Sequence, residues 1–363
     1  MTQATERHAW GPRGPRPRVT AVGTAVPPHP YPQEEITAAL AATGTPADPG
    51  LLRTIHANAG VATRHLALPL EELTGLGDFT EANRVWLDTA LDLGERALTG
   101  ALRTAGVAPE EVDAVISTTV TGLAVPSLEA RLVHRLGLRP DVTRVPLFGS
   151  GCAGGAVGLA RLRDHLRAHP GGVAVLLAVE LCSLTRQNDS SMASVIAGSL
   201  FGDGAAAVVA VGGDRADASP GPELVDSHSW LLPDTEDALG WGIGSHGFQI
   251  VLAPDVPALA GEHLPKAVHD LLGRHGLTPG GVGSWIVHGG GPKVLTAVER
   301  ALGLPPHALE LTRRSLAERG NLSSVSVLDI LRRAMAAPPP PGTPGLVAAM
   351  GPGFAVELGL LRW

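Results

Sequence analysis

The 363-residue chain reads as an α/β protein built from two similar halves. Three observations predict this. The length is that of about two domains at roughly 150 residues each. Short apolar runs alternate with stretches of helical periodicity, the pattern of sheets covered on both faces. Phe201-Gly202-Asp203-Gly204-Ala205-Ala206 is also echoed by Met350-Gly351-Pro352-Gly353-Phe354-Ala355, a glycine-flanked bend between apolar strands late in each half. The echo places the division near residues 212–221.

The elements follow in order. Residues 1–17, rich in Gly, Pro and Arg, read as a solvated leader. Residues 19–26 form a first strand, closed by Pro27-Pro28, and 34–42 a helix. A stronger helix covers 86–98, where Trp86, Ala90, Leu93 and Ala97 recur at helical spacing. Residues 112–119 are a strand, 128–136 a helix and 156–166 a helix of small and apolar residues. Residues 172–181 and 205–211, almost wholly apolar, read as fully buried strands. The second half restarts with a strand at 224–230 and a helix around 263–273. A strand at 284–287, a helix at 293–302 and helical stretches at 316–319 and 325–333 follow. Two strands flank Gly351-Pro352-Gly353. The divisions are therefore 1–17, 18–215 and 216–363.

Composition excludes several classes. With 28 Lys and Arg against 35 Asp and Glu, the net charge of −7 offers no basic field for nucleic acid. No apolar run approaches the ~20 residues of a membrane span, and the leader lacks a signal-peptide core. Two distant cysteines, Cys152 and Cys182, fit a reducing, cytoplasmic setting and give no metal cluster. Aromatics are only 3% of the chain, so the core must be built from Ala, Val, Leu and Gly.

Cys152 lies in Gly149-Ser150-Gly151-Cys152-Ala153-Gly154-Gly155 at an expected strand-to-helix turn. Small neighbours let a substrate reach the sulfur, and the helix N-terminus favours a thiolate. The competing reading is a structural cysteine in a tight turn. Cys182 lacks such glycines and reads as a core or pocket residue. His288 ends a strand and faces Gly289-Gly290-Gly291, with room to donate to a substrate carbonyl or accept a thiol proton. Asn321 precedes a helix; it is either a cap or a neutral amide donor beside His288.

On these motifs, with Val179-Glu180-Leu181-Cys182-Ser183 and Gly320-Asn321-Leu322-Ser323-Ser324, the chain resembles the type III polyketide synthases. These are the chalcone-synthase-like group of the thiolase superfamily. The resemblance runs from about Arg18 to the end. It implies two pseudo-duplicated βαβαβ halves in a five-layered αβαβα core, a homodimer, and Cys152, His288 and Asn321 as catalytic residues. It implies acyl-CoA and malonyl-CoA as substrates, with no permanently bound cofactor and an acyl-carrier protein as a further starter donor. Phe201 and Phe248 fall on the family's gatekeepers. Cys182, Thr185, Ser323 and Leu239 or a neighbour fall on cavity positions. Val125 matches a residue that reaches into the partner's cavity, and Gly351, Pro352 and Gly353 a loop supporting cyclisation. The basic CoA-binding segment is depleted, leaving Arg53, with Arg64 further on and the Gly289-Gly290 backbone.

The segment 239–248, with Trp241 and Gly242, resembles the bacterial and fungal synthases that make alkylpyrones and alkylresorcinols, and the small cavity residues leave room for an aliphatic chain, so the resemblance implies first an aliphatic acyl-CoA starter extended to such a product. The alternatives are a malonyl-CoA-primed 1,3,6,8-tetrahydroxynaphthalene synthase, a single-condensation ketoacyl-carrier-protein synthase III and a non-catalytic acyl-binding scaffold.

Overall fold

The computed structural model describes residues 15–42, 48–185, 191–215, 219–244 and 247–363. Thirteen strands lie among the described residues. In chain order the first seven are β1 (Arg18–Ala25), β2 (His29–Pro32), β3 (Thr63–Leu66), β4 (Ala114–Thr118), β5 (Thr143–Leu147), β6 (Val173–Leu181) and β7 (Asp203–Val211). The rest are β8 (Glu223–Leu231), β9 (Leu239–Gly244), β10 (Gly247–Leu252), β11 (Ser284–His288), β12 (Pro344–Gly351) and β13 (Ala355–Arg362). Nine join in the order β11-β12-β13-β8-β1-β7-β6-β4-β5. The halves are related by that order: β4-β6-β7-β1 in the first corresponds to β11-β12-β13-β8 in the second. In each, one parallel pair is followed by antiparallel ones. Only Arg18 and Glu223 pair across the seam between β1 and β8.

Five layers follow from where the apolar faces point. On β6, Val175, Leu177 and Val179 pack outward under the helix Phe79–Ala105, against Trp86, Ala90, Leu93 and Ala97. Ala174, Leu176 and Ala178 point inward, as the two-residue period of a strand requires. The inward face meets the two central helices, Gly154–Ala168 and Ser324–Ala336, which also pack on Ile286, Val347 and Leu361 of the second half. Val256–Arg274 and Pro292–Leu302 cover the far face. This is the αβαβα architecture expected from the resemblance.

Boundaries shift where local signals were weak. The helix expected at 86–98 runs from Phe79 to Ala105. Asp78 caps it by accepting from Glu81 N at 3.0 Å, and Gly106 ends it in the left-handed region. β5 is not among the expected strands, since Pro146 interrupts its pattern. The helices Pro49–Ala57, Leu70–Gly75 and Met192–Leu200 and the hairpin β9–β10 were also unread. Residues 1–14 of the expected leader lie outside the described residues. Its end is not simply solvated, since Arg16 pairs with Glu223 at 3.4 Å.

The central helices approach closely because glycine lines their contact. A Cβ on Gly155 would lie 2.3 Å from the Ser324 carbonyl oxygen and 2.6 Å from Val327. The first obstacle is backbone and cannot rotate away. Gly155→Ala is therefore expected to destabilise the fold by about 1–3 kcal/mol, the usual cost of overpacking. Thermal unfolding checks this, and an unchanged midpoint would refute the close contact.

Candidate active site

Cys152 sits in a single 3-10 turn, Gly151–Ala153, between β5 and the helix Gly154–Ala168. Gly151 adopts φ +49°, and Pro352 occupies the space where its side chain would be, 2.5 Å from an ideal Cβ. A Cβ on Gly351 would likewise lie 2.6 Å from the Ser150 carbonyl oxygen. The Gly351-Pro352-Gly353 bend thus packs directly on the cysteine turn. Thr235 ties its far end, with its hydroxyl donating to the Gly353 carbonyl at 2.7 Å.

The second half supplies the facing groups. His288 ends β11, buried, and burial alone pushes its imidazole down to about 4. It is neutral at pH 7. Asn321 is positioned by backbone on both sides: its N–H donates to the Leu200 carbonyl at 2.7 Å, and its carbonyl accepts from Gly202 N at 3.0 Å. Its side-chain amide donates to the Gly290 carbonyl at 3.0 Å, beside His288, and its Oδ1 accepts from Ser323 N at 2.8 Å. His288, Gly289, Gly290 and Asn321 line one small cavity. Gly290, at φ +73°, lets the backbone turn there.

Ser323 joins the two groups. Its hydroxyl hydrogen-bonds to the Cys152 sulfur and lies 3.4 Å from a carboxylate oxygen of Glu180. It sits at φ +50°, which a non-glycine residue adopts at a cost of order 1–3 kcal/mol. Cys152, Ser323, Asn321 and Gly290 are therefore consecutive links around one centre.

Glu180 is the residue that sequence reasoning missed. It is fully buried at the end of β6. Val120 N at 3.1 Å, Thr121 Oγ1 at 3.0 Å and Ser324 Oγ at 2.5 Å all donate to it. Burial raises its carboxyl to about 7 despite these bonds. The sequence signal was an acidic residue inside an otherwise apolar strand. Burial, with a smaller contribution from the Glu180 charge, also pushes the Cys152 thiol up to about 11. This corrects the expectation of a thiolate at the helix N-terminus. Desolvation outweighs the Ser323 hydrogen bond, and the resting sulfur is a thiol.

The expected pocket residues divide into groups. Cys182, Thr185 and Phe201 line a cavity of about 100 Å³ with Trp241. Phe248, on β10, is buried behind that cavity, edge-on to Phe79 at 5.4 Å and 6.1 Å from Trp241. Leu239, on β9, packs into the second-half core. Val125 is 95% exposed and borders solvent rather than its own chain's cavity.

Arg53 lies exposed on Pro49–Ala57, open to a phosphate. Arg64 does not fit the CoA role: it is 3% exposed. Its Nε donates to Gln33 Oε1 at 3.0 Å and its Nη1 to the Phe201 carbonyl at 2.8 Å. Among the described residues, no group of three or more His, Cys, Asp or Glu could hold a metal ion. No helix there is long and apolar enough to cross a membrane.

A Glu180→Gln protein keeps most of this network and removes its negative charge. Its Cys152 pKa is expected to fall, because an anion beside a thiol disfavours the thiolate. The pH profile of iodoacetamide alkylation should therefore move to lower pH, while Cys182, buried and raised further, stays unlabelled. A profile superimposable on that of the native protein would overturn the assignment.

The chain matches the chalcone and stilbene synthase N-terminal domain over residues 5–215 and the C-terminal domain over 223–363. It is 52% identical to a 1,3,6,8-tetrahydroxynaphthalene synthase of Streptomyces peucetius subsp. caesius, over 99% of this chain and 96% of that protein. It is 34% identical to a 3,5-dihydroxyphenylacetyl-CoA synthase of Streptomyces toyocaensis, over 97% and 91%. The crystal structure of the 1,3,6,8-tetrahydroxynaphthalene synthase of Streptomyces coelicolor, a bacterial type III polyketide synthase, superposes with a TM-score of 0.90. It is 32% identical and covers 95% of this chain and 99% of that one. The duplicated sheets and this conjunction of motifs have one explanation: the chain belongs to the chalcone and stilbene synthase family, condensing acyltransferases that extend CoA thioesters with malonyl-CoA.

Proposed function

We propose that the chain is a malonyl-CoA-primed synthase that builds 1,3,6,8-tetrahydroxynaphthalene. The observation that carries this reading is the 52% identity, over nearly the whole of both chains, to a protein of that activity. It reverses the order of preference suggested by the small cavity residues. The aliphatic-starter reading stands second, supported by the apolar wall of the cavity behind Phe201, which includes Ile36, Leu40, Leu52 and Leu66.

In this reading Cys152 is the nucleophile. Its sulfur bonds to the acyl carbon of a CoA thioester, the CoA thiol leaves, and the cysteine proton is passed to it. One thioester replaces another, so the step is nearly isoenergetic. A second malonyl thioester then loses carbon dioxide, and the electron pair settles on the thioester oxygen. Two neutral donors suit that oxygen: an N–H of His288 and the second N–H of the Asn321 amide. Neither quenches the carbanion. Attack of the enolate carbon on the Cys152 thioester carbonyl forms the new carbon–carbon bond and breaks the sulfur–acyl bond, so the extended chain leaves on CoA and the freed Cys152 sulfur takes it up again by thioester exchange. Residues 18–215 supply the nucleophile and 216–363 the donors. Arg53 and the Gly289-Gly290 backbone serve CoA, and Phe201 and Phe248 serve the gate. The exposure of Val125 supports a homodimer in which it enters the partner's cavity. A cytoplasmic location follows from the CoA substrates, and a carrier protein is a further starter donor.

Malonyl-CoA alone should give a pentaketide-derived naphthalene, read by product mass. Product only when a fatty acyl-CoA is added, as an alkylpyrone or alkylresorcinol, would overturn this reading in favour of the second. His288→Ala and Asn321→Ala should each slow condensation by about 10²–10³-fold. Intact mass should still show Cys152 loading in both. A Cys152→Ala protein that still formed the adduct would exclude the nucleophile role.

A further inference from the structure

The cavity that Phe201 lines is mostly apolar, with a few polar side chains in its wall. Arg64, His56 and Ser194 all line it, and each carries a buried polar atom with no protein hydrogen-bond partner among the described residues: Nη2, Nε2 and Oγ. Arg64 is fixed by its bonds to Gln33 and Phe201, and Gln33 in turn donates to the Ser199 carbonyl at 2.8 Å. On its other side lies Asp203, whose oxygens are already taken by Ala67 N and by Ser183 N and Oγ. The guanidinium therefore faces the cavity with one donor arm unused.

His56, 2% exposed, has a defined tautomer. Thr37 Oγ1 is 2.7 Å from the Gln33 carbonyl oxygen and 2.8 Å from His56 Nδ1. The hydroxyl has one proton, and the carbonyl can only accept. Thr37 therefore donates to Gln33, and Nδ1–H donates to Thr37. This leaves Nε2 as a bare acceptor. Burial, and then the charge of Arg64, push the ring down to about 4, so it stays neutral. The cavity wall thus presents a cationic donor, a neutral acceptor and a hydroxyl.

A group that both accepts from Arg64 and donates to His56 is a hydroxyl, and the acidic hydroxyl of an enol or a phenol is the better donor to a bare imidazole nitrogen. An alkyl tail would leave all three atoms unpaired, at the cost of their desolvation. We propose that Arg64, His56 and Ser194 form an oxygen-binding floor that takes an enolic or phenolic hydroxyl of the malonyl-derived chain. This rests on the malonyl-primed reading above, in which the chain carries an oxygen at every second carbon. Neither the apolar wall nor the groups around Cys152 offer that recognition.

The test uses a pair of small ligands of one shape: resorcinol, with two hydroxyls, and m-xylene, with two methyls. Each is titrated into the unliganded full chain and followed by ligand-observed NMR. His56→Leu and Ser194→Ala are each expected to lower the ratio of resorcinol to m-xylene affinity by about tenfold, as when a site built for a hydroxyl loses its partner. An unchanged ratio in both variants, or no binding of resorcinol by the native protein, overturns the proposal. If His56→Leu binds neither compound, its cavity has collapsed and Ser194→Ala decides alone. The products from malonyl-CoA are read separately. Alkylpyrones from an enzyme with a resorcinol-selective floor would sink the malonyl-primed reading and leave the floor standing.

Discussion

One buried carboxylate fastens the two halves at the reaction centre. Glu180 reaches from β6 of the first half to Ser324, at the start of the central helix of the second, and to Val120 and Thr121 within its own half. β1 and β8 contribute only one residue pair across the seam, so the relative placement of the halves rests largely on the central helices, on the backbone bonds of Asn321 to Leu200 and Gly202, and on this network. Leaving a buried acceptor unpaired costs about 1–3 kcal/mol. Displacement of one half would break the Glu180 contacts to Ser324 and Ser323. The Gly155–Ser324 approach and the Glu180–Ser324 bond therefore act on the same residue, one steric and one polar.

The consequence is that Cys152 from one half and Asn321 from the other are held through shared neighbours. Ser323 is in hydrogen-bond contact with the sulfur, donates its N–H to Asn321 and approaches Glu180. Its left-handed backbone is the strain that this convergence requires. A glycine would relieve the strain and lose the hydroxyl. That explains why a serine occupies a conformation that favours glycine.

Much of this was legible in the sequence. Glycines around Cys152 and after His288 marked turns with open space, and the apolar runs marked the strands that carry them. The repeated bend at Gly202 and at Gly351 gave the duplication. What could not be read was decided by long-range packing. Glu180 lay in a recognisable motif, but its role depends on Ser324, 144 residues away. Arg64 was near a segment expected to hold phosphate, yet β3 turns it inward, where Gln33 and Phe201 take its bonds. A charge in a short strand carries no mark of which face it will occupy until the partner strand is known. β5 was missed because its burial is uneven and Pro146 interrupts its pattern.

The resting site holds a neutral thiol and a neutral imidazole beside one carboxyl whose ionisation is suppressed by burial, and that bears on the chemistry. The thiol is held at about 11, the imidazole at about 4 and the Glu180 carboxyl near 7. Desolvation is the first cause in each case, and it acts against whichever form is ionised. An enolate formed here would then be the dominant charge in a low-dielectric pocket. Fixed donors such as Asn321 are worth more there than in water, because they need no reorganisation when the charge develops. The same desolvation makes it costly to generate a thiolate before substrate arrives. Deprotonation of Cys152 is thus best coupled to thioester exchange, when the departing thiolate can take the proton.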